Sequence, residues 1–136
     1  MDNTDVIETS FKNKGLNCAE TTMRLLAEAY SDLPKDMQKM MTGFGGGMQR
    51  GLTCGAVTAA VAAIGMKTGR LEMEESREPS AKAVRAFLDR FEAEFGALTC
   101  DRLTEGFTSK SDEMYRHCGR FVAFSADLAI KIIQAY

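Results

Sequence analysis

Apolar residues recur at helical spacing along most of the chain, and no segment alternates apolar and polar residues over the length a strand requires. The spacing predicts a first helix over about Thr4–Lys14, with Ile7 and Phe11 on one face and Gly15 as its stop. A second helix is expected from Asn17 to about Tyr30, turning Ala19, Met23, Leu26 and Tyr30 inward. Pro34 suits the first turn of a short helix through Met41, and Gly43 to Gly51 reads as a flexible, glycine-rich loop. The segment Cys54–Lys67 is apolar nearly all round, so it has no face to give to water and should be the buried central helix. From about Pro79 to Phe95, the residues Val84, Phe87, Leu88, Phe91 and Phe95 form a clean amphipathic stripe. A shorter helix follows Thr99, and a polar loop spans Gly106 to Lys110. The last helix begins near Ser111 and keeps Met114, Cys118, Phe121, Val122, Ser125, Leu128 and Ile132 in register across Gly119. Continuity is expected there, although Gly inside a helix costs about 1 kcal/mol relative to Ala. The pattern predicts one all-α domain over residues 1–136, a compact bundle of five to seven helices around the Ala-rich one.

Composition narrows the chemistry. Seventeen Lys and Arg against nineteen Asp and Glu leave no basic excess for a nucleic-acid partner. The single His argues against His-rich metal sites and makes a hydrolytic triad a poor candidate. The first residues, Met1-Asp2-Asn3-Thr4-Asp5, do not resemble a secretory signal. The most apolar run, Cys54 to Met66, falls short of the ~20 residues a spanning helix needs. A cytoplasmic, not membrane-spanning protein is therefore expected, in a compartment that favours reactive or metal-binding thiols over structural disulfides.

Four cysteines carry the distinctive chemistry. Three share a local context, Leu16-Asn17-Cys18, Leu52-Thr53-Cys54 and Leu98-Thr99-Cys100, in which Asn or Thr is an N-cap candidate and Cys takes the first helical position. Glu20 completes a capping box with Asn17. At such positions unpaired amides and the helix dipole favour the thiolate, whereas desolvation opposes it. Cys54 is expected to be the most consequential thiol, on the reasoning that its amides win and that Gly55 leaves the backbone uncovered beside the sulfur. The fourth, Cys118, sits on the core-facing stripe of the last helix. A lone Cys is more often a small buried hydrophobe, so the weight lies in the recurrence of one site type. No Cys-x-x-Cys is present, nor the usual zinc or ferredoxin spacings, so any reacting pair has to be assembled by the fold. His117 reads as an exposed neighbour of Cys118, and Met37, Met40 and Met41 as gap-filling core rather than soft-metal ligands. The glycine-rich loop lacks the strand and the Gly-Lys-Ser/Thr of a phosphate cradle; it should let backbone pass close to Cys54, with Arg50 available to an anion or thiolate.

The chain resembles the C_GCAxxG_C_C family of redox-active proteins. The likeness rests on Cys18 in Asn-Cys-Ala-Glu, on Gly43-Phe44-Gly45-Gly46-Gly47 leading to Cys54-Gly55-Ala56-Val57-Thr58, and on the later Cys100 and Cys118. One departure is Ala59, where the family motif closes with Gly. The resemblance implies redox-active cysteines and a redox partner linked to transport, and it supplies no substrate. Related proteins sometimes carry a c-type haem, for which this chain has no Cys-x-x-Cys-His attachment motif.

Three readings stay open at this stage. In the first, Cys54 is the nucleophile of a thiol redox protein, a possible oxidoreductase, with Cys18, Cys100 or Cys118 resolving it; four Cys allow three connectivities. In the second, Cys18, Cys54, Cys100 and Cys118 bind a metal or an iron–sulfur cluster. In the third, the chain is a small helical interaction protein with incidental cysteines.

Overall fold

A computed structural model describes residues 7–13 and 15–136. Its α-helices are α1 (Cys18–Ala29), α2 (Asp36–Met40), α3 (Gly55–Thr68), α4 (Glu78–Phe95), α5 (Cys100–Leu103) and α6 (Asp112–Gln134). Among the described residues there is no strand, only an isolated antiparallel bridge between Thr53 and Thr99. The expected all-α class and the count of helices are therefore observed.

The Ala-rich α3 is the hub, packing against α1, α6 and α4, while α1 and α6 also pack on each other. Ala56, Ala59, Ala60, Ala63 and Ile64 are wholly buried on it, and the short alanines let three helices approach one axis. Thr58, Val61 and Ala62 are partly exposed, and the last turn emerges furthest, where Met66 is exposed. Ala59, at the departure from the family motif, is among the wholly buried residues, so its methyl group is accommodated. The amphipathic stripe of α4 delivers Phe87 and Phe91 to the core. Phe95 continues it, edge-on to Phe121 and Phe124 of α6 with centroids 4.8 and 5.1 Å away. Full burial of such a ring contributes about 1.5–3 kcal/mol, so this seam ties α4 to α6 strongly.

Several local expectations are met. Asn17 and Glu20 form the capping box, with reciprocal bonds of 2.9 Å. The helix from Asp112 runs unbroken through the buried Gly119, where a Cβ would stand 3.4 Å from Ile7 Cγ2. Of the first predicted helix, one wide turn over Ile7–Phe11 is described and buries both named side chains; Thr4–Val6 and Lys14 lie outside the described residues. Met37 and Met41 are core, whereas Met40 is exposed.

The glycine-rich segment differs from the expected open loop. Gly46, Gly47, Met48 and Gln49 take φ of 60, 63, 57 and 62°, a complete left-handed turn. Two of these are not glycine, and the left-handed conformation costs an L-residue about 1–2 kcal/mol. The turn is held by Gln49 Nε2 donating to Gly45 O at 3.0 Å and Leu52 N–H donating to Gly47 O at 2.9 Å.

Candidate thiol site

Cys18 opens α1, where the capping box fixes the chain's entry. The Asn17 amide also donates to Thr42 O at 2.9 Å, drawing the glycine-rich segment over the helix start. Backbone amides of Gly46, Gly55, Ala19 and Cys18 itself favour a charged sulfur there. Burial is nevertheless the larger effect and pushes the Cys18 thiol up. The approach of Gly55 is close: a Cβ on it would stand 2.7 Å from the Cys18 sulfur and 2.8 Å from Phe44 O. Gly55 thus uncovers backbone beside Cys18, not beside Cys54 as the sequence suggested.

The two Leu-Thr-Cys segments are paired with one another. Cys54 N–H donates to Leu98 O at 2.8 Å, and Cys100 N–H donates to Leu52 O at 2.6 Å, with Thr53 opposite Thr99 between them. This pairing keeps the chain extended past Thr53, so α3 starts a residue later than expected and Cys54 itself is the N-cap. Thr99 does cap α5 by position, though its side chain makes no capping hydrogen bond. Gly47 packs on the ribbon; a Cβ there would stand 2.5 Å from Leu52 N and 2.9 Å from the Cys100 Cβ.

Cys54 is 4 % exposed. Burial pushes its thiol strongly up, and Cys18 adds to that, outweighing the pull of the Ala56 and Val57 amides. The expectation that the amides win at Cys54 is corrected: the helix start is there, but the sulfur has lost too much water. Cys100 is half-buried and also pushed up, first by burial and then by Cys18, against a hydrogen bond from Thr104. Burial raises Cys118 to about 12, with Cys18 and Cys100 contributing and Arg120 opposing. Cys18 and Cys100 each interact electrostatically with all of the other thiols.

Cys18, Cys100 and Cys118 line one cavity of about 330 Å³, which Cys54 does not reach. Phe11, Tyr115, Phe107 and Lys110 also line it, and Gly46 and Gln49 bring in the left-handed turn. Arg50 is exposed and not part of this lining. A wider groove of about 670 Å³ between α1 and α2 carries no thiol. All four cysteines are free thiols. Among the described residues, no group of three or more His, Cys, Asp or Glu side chains is arranged to hold a metal ion.

His117 is not the exposed side chain expected. Its Nε2 lies 2.7 Å from Leu103 O and its Nδ1 3.0 Å from Arg120 Nη2, and its ring stacks on Phe107 at 4.2 Å. A carbonyl can only accept and a guanidinium only donate, so these partners select the neutral ring with its proton on Nε2. His117 thereby fastens the α5 end and the Phe107 loop to α6, behind Cys118. The polar loop reading of Gly106–Lys110 concealed that Phe107 and Lys110 are cavity residues; nothing in their spacing marked them.

Comparison with known proteins returns one family. Residues 16–132 match the model of the family described as "Putative redox-active protein (C_GCAxxG_C_C)". No curated protein and no solved structure matches the chain.

Proposed function

Because this chain belongs to the C_GCAxxG_C_C family of redox-active proteins, we propose that it performs thiol–disulfide exchange with Cys18 as the exchanging sulfur. One observation carries the reading: of the three thiols that line the cavity, Cys18 is the one with backbone amides turned toward its sulfur. The Cys18 thiolate attacks a partner disulfide, forming a mixed disulfide and expelling one partner thiolate. Cys100 or Cys118, deprotonated in turn, attacks the Cys18 sulfur and expels the second. The protein dithiol loses two electrons and two protons, and the partner disulfide gains them. Cys54, beneath the cavity, is better suited to packing under Cys18 than to meeting a partner.

The test uses the reduced protein, purified without oxygen, and its four single Cys→Ser variants. Each is given a limiting disulfide oxidant, then quenched by alkylation and mapped by peptide mass. Cys18→Ser should abolish the rapid intramolecular disulfide, and Cys54→Ser should retain it. A rapid disulfide in Cys18→Ser would overturn the assignment. Bound iron or zinc at a stoichiometric level, with all four thiols protected by it from alkylation, would overturn it in favour of a metal-binding role.

A further inference from the structure

The thiol-exchange reading leaves open what delivers the disulfide, and the cavity constrains that. We infer that the oxidant is a small disulfide bearing carboxylates, held by Lys110 while its sulfur meets Cys18; this rests on the exchange reading. Size is the first argument. The thiols open into a concavity of about 330 Å³ rather than onto a surface, which lies at the low end of the ~300–1,000 Å³ range of small-ligand pockets. A protein disulfide, flanked by two backbones, needs a thiol that protrudes, and the left-handed turn stands over Cys18 instead. Charge is the second. Among the described lining residues, Lys110 is the one charged side chain, and no carboxylate accompanies it. Gln49 and Ser109 add neutral polar groups, and Phe107 and Tyr115 apolar walls. Asp101 raises Cys100 but does not line the cavity. Lys110 also takes φ of 61°, a left-handed conformation that glycine adopts freely, so the loop holds a lysine where local geometry favours none.

In the exchange, a small disulfide RS–SR′ loses its S–S bond to Cys18 and leaves one RS⁻, which takes up a proton. Attack by Cys100 or Cys118 on Cys18 then releases the second thiol, so one oxidant is reduced per protein disulfide formed. The experiment compares three disulfides of similar size on the full reduced chain: dithiodipropionate (anionic), hydroxyethyl disulfide (neutral) and cystamine (cationic). Mixed-disulfide formation at Cys18 is timed by mass spectrometry, and each rate is divided by that of an exposed cysteine peptide. The normalised anionic rate should exceed the cationic by about tenfold at low salt, in line with electrostatic steering, and the gap should close at high salt. Lys110→Gln should bring the anionic-to-cationic rate ratio to about one, and Lys110→Arg should restore it. Equal normalised rates for all three, or a preference that survives Lys110→Gln, would overturn the inference and leave thiol exchange standing. Failure of all three to modify Cys18 while the peptide reacts would overturn both.

Discussion

A methyl group on Gly55 would come within 2.7 Å of the Cys18 sulfur. The glycine of the Cys-Gly-Ala motif is therefore a space requirement set by a residue 37 positions earlier in the chain. In a helix, Gly→Ala ordinarily stabilises by about 1 kcal/mol. Here Phe44 O at 2.8 Å is backbone, and the Ala19 Cβ at 3.1 Å has no rotamer to turn aside.

Gly55→Ala should accordingly lower stability by about 1–3 kcal/mol, the usual cost of overpacking. Urea midpoints of the reduced protein measure it. Adding Cys18→Ala should recover part of the loss, since it removes one of the three close neighbours. A Gly55→Ala protein as stable as the parent would show that the α1–α3 contact is looser than described.

The left-handed turn makes the opposite prediction for Met48, one of its two non-glycine members. Met48 holds φ of 57° and is 41 % exposed, so little packing is lost when its side chain is removed. Met48→Gly should relieve about 1–2 kcal/mol of conformational cost and give back about 0.5–1 in chain entropy, for a small net gain. Gly47→Ala should instead be strongly destabilising, because its Cβ would meet Leu52 N and O at 2.5 Å. Denaturant midpoints moving in opposite directions for the two variants would bear this out; a destabilised Met48→Gly would contradict it.

Helices were legible because burial imposes period, and period survives in a single sequence. Val84, Phe87, Phe91 and Phe95 announced α4 and its core face, and Asn17 with Glu20 announced where α1 begins. The likeness of the Leu-Thr-Cys segments was also legible, but its cause was not. Each looked like a helix start, and only the fold reveals that Thr53 pairs with Thr99 and displaces one of those starts. The same limit applies to the sulfurs. Local context predicts amides beside Cys54, whereas burial by the rest of the fold is the larger effect on its sulfur, and no local window contains it. Lys110 and Phe107 reach the cavity from a loop without periodicity, where sequence offers no direction.

His117 links three elements through two hydrogen bonds and a stacked ring. A hydrogen bond contributes about 0.5–1.5 kcal/mol net, and an aromatic pair about 0.5–1.5 beyond its area. His117→Ala should thus cost about 1–3 kcal/mol and loosen the wall behind Cys118, raising the alkylation rate of that thiol above the parent's. His117→Gln, which keeps a donor for Leu103 O, should lose less stability. Equal alkylation of Cys118 in parent and His117→Ala would separate this histidine from the thiol site.

Alkali should undo the fold through its thiols. All four are pushed above the ordinary value of 9.0, so the folded protein holds their protons more tightly than the unfolded chain does. Their contribution is fully present below 9.0 and is lost as pH rises through the native values, which for Cys118 is about 12. Lysines and tyrosines titrate in the same range, so the comparison is between the reduced parent and Cys118→Ser at each pH. The parent should lose stability more steeply between pH 9 and 12, and the difference between the two should shrink steadily toward the upper limit. The same protonation governs reactivity. Because burial holds the Cys18 proton more tightly than in an ordinary thiol, mixed-disulfide formation should keep quickening with pH throughout the interval from 7 to 9, as the anion is the nucleophile. A rate already level across that interval would mean that the amides around Cys18 outweigh its burial, reversing the balance of forces at the sulfur.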